Sequence, residues 1–291
     1  MLEMLISPRK AEEKPSRLFL IGLIYASLSL LLTNIIFLRD SILAKHASLL
    51  IITFTTIFSI PFIHSLIRVE EIREIQEYKK PWNLFKGHSL ALLSLMFLFL
   101  GYLMAFSFWY IVLPKEIVIK NFNSQIETFC SINTQHGLGK CLEEYGISVK
   151  QEKGITAKAV SEMQDVFNIF SNNLFVLLFT LLFSLTFGAG AIFILAWNAS
   201  VIATAIGMLV RINFLQFYLP FLMYLTHGIP EIAAYFLIAL AGGILSTAVI
   251  RHDIRHGRMR ILYDILLLVI ISVLLLFLAA LIEVFITPII F

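Results

Sequence analysis

What this chain has least of is charge. Only 14% of its 291 residues are Asp, Glu, Lys or Arg, where a soluble domain carries about a quarter. That shortage excludes a water-facing shell around an ordinary globular core. The net charge of +3 is small, and the basic residues stand beside apolar blocks instead of forming one patch, which argues against nucleic acid as a partner. Two cysteines in all exclude a disulfide-dense secreted scaffold. No cleavable signal peptide is expected either. The first apolar block, Leu18–Leu38, is too long for a signal core and has no small-residue cleavage pattern behind it.

What is abundant is apolar sequence in long blocks, 59% of the chain with 26 phenylalanines. A crossing needs about 20 apolar residues. Seven blocks are read as spans: Leu18–Leu38, Leu43–His64, Ser89–Leu113, Asn173–Phe187 with some extension, Ala189–Val210, Glu231–Ile250 and Ile261–Ile286. An eighth piece, Phe214–Thr226, is too short to cross and reads as a re-entrant or interfacial helix. The predicted fold class is all-α, a polytopic transmembrane bundle of about seven spans plus that short helix. It divides into an N-terminal membrane part with three spans (1–113), a loop outside the membrane (114–168), a second membrane part (169–260) and a last transmembrane helix (261–291).

With the N-terminus cytoplasmic, the inside segments carry thirteen basic residues against three in the short outside turns, Arg39, Lys45 and Arg211, and the six lysines of the long outer loop count for little. Short loops rich in Lys and Arg stay inside, so the expected orientation is N-terminus in the cytoplasm and C-terminus outside the cell membrane. Seven crossings place every basic cluster inside only if Phe214–Thr226 does not cross. Trp82 and Tyr78, with Trp109 and Tyr110, are read as interfacial anchors at the two ends of the third span. Glu70, Arg73, Glu74 and Glu77 at helical spacing read as a cytoplasmic extension of the second span. The loop 114–168 holds Cys130 and Cys141, and on the outer side a disulfide between them is expected. Only His136 lies near them, short of the four ligands of a structural zinc site. Periodic apolar positions in the loop predict short helices capping the bundle.

Ionisable groups inside spans are costly and mark candidate sites. Asp264 and Glu283 sit near the ends of the last span and read as headgroup residues. In YLTHGIPEIAAYF, residues 224–236, His227 and Glu231 are four apart with Gly228 and Pro230 between them, a helix break beside ionisable groups. Arg211, at the end of the fifth span, is the expected cationic partner of Glu231. Asn172 and Asn173 read as the cap of the fourth span, and Asn198 lies in the fifth among Ala and Ser residues that permit close helix approach. The spacing HGIPE lacks the second histidine of a zincin, so no cofactor is expected and the metal question is left open.

These features together resemble the stage II sporulation protein M family of integral membrane proteins. The matching residues are Asn173 in SNNLFV, Gly188 and Gly190 in FGAGA, Asn198, then His227, Gly228 and Glu231 in THGIPE, and Gly242-Gly243, covering roughly 165–260. One departure is Ala199, where the family usually has glycine. The resemblance makes 169–260 the family-like membrane core. It implies a non-enzymatic membrane protein that, in spore formers, works in a membrane complex with peptidoglycan-degrading partners. The expected function is therefore a multi-pass scaffold or membrane-remodelling component at the envelope, embedded in the lipid bilayer, homo-oligomeric, with other envelope proteins as partners. Two alternatives use the same polar cluster: a transporter or channel for an ion or small solute, and a metal-dependent intramembrane hydrolase.

Overall fold

Hydrocarbon offers no partner for a peptide N–H or C=O, so an apolar block of membrane-crossing length must satisfy its own backbone as a helix. The computed structural model describes residues 15–40, 42–77, 84–132, 162–187, 191–212, 218–250 and 258–290, and contains no strand among them. Among the described residues seven helices are long and apolar enough to cross a bilayer. In chain order the elements are α1 (Ser16–Ile36), α2 (Ala47–Glu77), α3 (Leu84–Val112), the short α4 (Lys115–Asn121) and α5 (Asn123–Ile132), then α6 (Glu162–Phe187), α7 (Ala191–Ile212), α8 (Tyr218–Ile250), α9 (Arg258–Leu281) and α10 (Thr287–Ile290). A π-helical turn, Ile282–Ile286, joins the last two. The expected all-α transmembrane bundle is what forms.

Three local expectations are corrected. The short piece Phe214–Thr226 is not a separate helix, because from Tyr218 onward it forms the first turns of α8. Pro230 sits inside that helix, where it deletes one amide donor without ending the element, as membrane helices tolerate. A Cβ on Gly228 would meet nothing, so this glycine neither breaks the helix nor admits a neighbour. Second, α6 begins at Glu162, which puts Asn172 and Asn173 in its interior and not at its cap. Glu162 and Asp165 in its first turn complement the positive end of the helix dipole. Third, Tyr110 is buried, packed against Phe122 with ring centroids 5.2 Å apart, and is no interfacial anchor. Tyr78 and Trp82 lie outside the described residues. The extension of the second span is present, since α2 runs on to Glu77.

The long helices sort into two groups. α3 packs chiefly on α1 and α7, and α2 lies against α1 and α7, while α8 packs on α9 and α6. Phe99 of α3 meets Phe236 of α8 edge-on at 5.7 Å across the seam. Lipid tails are as apolar as leucine, so helix pairing here relies on close packing and hydrogen bonds. A Cβ on Gly22 would lie 2.5 Å from the Leu98 carbonyl oxygen, and one on Gly101 would run into the Phe19 carbonyl and the Leu23 nitrogen. The α1–α3 crossing is thus backbone on backbone. At α6–α8, a Cβ on Gly242 would come within 2.5 Å of Ser184 Cβ, and Ser184 Oγ donates to the Ala239 carbonyl at 3.0 Å. The expected small-residue face at Gly242 is therefore used.

Candidate functional site

His227, Glu231 and Tyr235 recur every four residues and share one face of α8. Tyr235 is 1% exposed, and its hydroxyl donates to Glu231 Oε1 at 2.8 Å. His227 and Glu231 are both part-buried. Glu283, in the π-helical turn, lies within electrostatic reach of Glu231. That turn is held by Thr287, which is buried and donates from Oγ1 to the Ile282 carbonyl at 3.1 Å. The site therefore gathers two carboxyl groups from facing elements, one of them hydrogen-bonded to a buried phenol. Glu283 is part-buried, and Asp264, also expected in the headgroups, is only 4% exposed.

The structure does not bring together all of the residues picked from the sequence. Arg211 does not serve Glu231. Its Nη2 donates to the Ile111 carbonyl at 3.2 Å and to the Leu113 carbonyl, and its guanidinium lies 5.5 Å from the Tyr110 ring centre. It thus caps the carbonyl end of α3, where a cation complements the helix dipole. Gly207, one turn before it, leaves the space that the Tyr110 ring fills. Asn198 turns back on its own helix, donating from Nδ2 to the Ile194 carbonyl at 2.9 Å. Ala199 is fully buried, so a methyl group is accommodated where the family usually has none.

Asn173 lies eleven residues before Ser184, as Glu231 lies eleven before Gly242. With equal rise per residue, the Ser184–Gly242 contact puts Asn173 and Glu231 at one depth on helices that run the same way. Asn173 Oδ1 takes only a long 3.5 Å contact from Asn172 Nδ2. Cys130 is fully buried in α5, while Cys141 lies outside the described residues, as do Gly188 and Gly190. Among the described residues no group of three or more His, Cys, Asp and Glu side chains assembles.

Tyr235 was missed as the partner of Glu231, though its i+4 spacing was there to be read. Also missed was a polar set around the α4–α5 pair. Ser124 and Ser48 hydroxyls are 2.8 Å apart, and Gln125 Nε2 donates to Ser200 Oγ at 3.1 Å.

The chain matches the family model described as Stage II sporulation protein M over residues 82–288. The match is wider than 165–260 and takes in the third span, the cysteine-bearing loop and most of the last helix. No curated protein matches the chain, and no solved structure does.

Proposed function

The chain belongs to the stage II sporulation protein M family, and on that premise we propose that it is a non-enzymatic multi-pass scaffold of the cell envelope. The observation that carries this reading is where its membrane-embedded polar groups go. Glu231 is held by Tyr235, Asn198 by its own helix, and Arg211 by the end of α3. The first two are satisfied within their own helices and leave no charge or amide exposed to a solute path, while Arg211 ties α7 to the end of α3 and so favours one arrangement of the bundle. In this reading the N-terminus is cytoplasmic, residues 114–168 face outward with a Cys130–Cys141 disulfide, and further copies or other envelope proteins pack against the apolar flank of α6. Phe175, Leu178, Phe179 and Leu182 are exposed on that flank.

The test removes one hydroxyl. Tyr235→Phe leaves a part-buried carboxyl short of a partner, at a cost of roughly 1–2 kcal/mol. The expected result is a lower melting temperature in detergent with ion flux through proteoliposomes unchanged. A flux that changes while the fold stays intact replaces the scaffold reading with a transport one. The orientation is checked separately, because engineered thiols near Arg255 should react only from the cytoplasmic side.

A further inference from the structure

The α4–α5 pair is docked inward and does not simply lie over the bundle. Val118, Phe122, Ile126 and Cys130 recur every four residues, and none is more than 2% exposed. Phe122 packs on Phe106 with centroids 6.3 Å apart and on Tyr110. Gln125 reaches Ser200, which lies eleven residues before Arg211, about 16 Å along α7 from that end at 1.5 Å per residue. The α4–α5 pair therefore packs along the side of α7 and not only at its end. A short element at membrane depth is tolerated only where protein covers it or it lines a watered space.

Next to the apolar stripe lies a polar one. Asn121 and Gln125 are one turn apart, and each is 1% exposed. Ser200 Oγ donates to the Trp197 carbonyl at 2.7 Å, so its lone pair accepts from Gln125 Nε2 and fixes that amide with Oε1 turned away. Among the described residues Gln125 Oε1 then has no protein partner, and neither Oδ1 nor Nδ2 of Asn121 has one. Leaving a buried donor or acceptor unmade costs roughly 1–3 kcal/mol, so three such atoms on adjacent turns form a site that calls for a ligand. The ligand must donate to two carbonyl oxygens and accept from one amide, and the two residues that hold it carry no charge. Water has that donor and acceptor set, and a buried water typically makes about three hydrogen bonds to such groups.

We propose that Asn121 and Gln125 form an internal hydration site through which α4–α5 docks on α7. The site is independent of Glu231 and of the scaffold reading. Full-length protein in detergent carries the test, with Asn121→Leu, Gln125→Leu and the double variant melted in parallel. A shared water predicts that each single change lowers the melting temperature by about 2–4 °C. The double variant should then lose less than the sum, although the two side chains share no direct bond. A rise in melting temperature for Asn121→Leu means dry, unsatisfied amides and overturns the proposal, and strictly additive losses overturn the shared site. A melting temperature that depends on which monovalent cation is present makes the occupant an ion and overturns it too. If the variants fail to fold, a water-resolving map of the unmodified protein decides. Density within hydrogen-bonding distance of both amides supports the site, and apolar atoms packed against them refute it.

Discussion

The α1–α3 and α5–α7 contacts join helices by opposite means. At Gly22 and Gly101 nothing lies between the two backbones, and the contact consists of shape alone. At Gln125 and Ser200 the helices are held by an amide and a hydroxyl, with neighbouring polar atoms that need further partners. In lipid neither contact draws on a hydrophobic force between helices. The first fails when volume is added, and the second fails when polarity is removed.

The largest effect should come from adding volume where backbone faces backbone. Gly101→Leu pushes a side chain into the Phe19 carbonyl, at a cost of about 3 kcal/mol or more and a melting temperature lower by roughly 6–12 °C. A smaller drop would mean that the two helices separate easily. Gly242→Val meets Ser184 Cβ instead, which no rotamer change can move, so α6 and α8 must part slightly and strain the Ser184–Ala239 bond. The expected cost is about 1–2 kcal/mol, seen as a lower midpoint in the same melt.

Gly228→Ala reverses the sign. Nothing lies near the new methyl, and alanine is better than glycine in a helix by roughly 0.5–1 kcal/mol, so the protein should melt slightly higher. A loss at this position would show that the glycine is needed for something other than room. The smallest effect belongs to Asp40, between α1 and α2. Its Oδ1 accepts from the Leu43 and Ile42 amides, both at 2.8 Å, and those two bonds hold its carboxyl below the usual carboxylate range. A lowered folded value means that its contribution is complete above the unfolded pKa, near 3.9, and is lost as pH falls through the folded one. Acid melts should therefore show a shallow loss in that range, which Asp40→Asn flattens.

The spans were legible because an apolar block of crossing length has one physical solution. Their ends were less so, since a helix continues past its apolar part wherever polar residues still favour it. That is how α2 reaches Glu77 and α6 starts at Glu162. The piece Phe214–Thr226, expected as a separate short helix, proved from Tyr218 onward to be part of α8. Length alone demoted Phe214–Thr226, whereas the buried stripe from Val118 to Cys130 depends on what α4–α5 packs against. The Arg211–Glu231 pairing failed for a topological reason. Only a short connection separates α7 from α8, yet α7 packs on α3 and α2 while α8 packs on α9 and α6. Sequence proximity of opposite charges could not reveal that they belong to different groups.

The glycine crossing also has a consequence for biogenesis. Gly22 enters the bilayer long before Gly101 is made, about eighty residues earlier, which at about 5–20 residues per second is roughly 4–16 s of synthesis. Throughout that interval the backbone of α3, which fits against Gly22 in the finished fold, is not there to receive it. A chain that carries a bulky residue at Gly101 would hold α1 in that orphaned condition for longer. Its defect would then appear as clearance of newly made protein by membrane quality control before it appeared as lost activity.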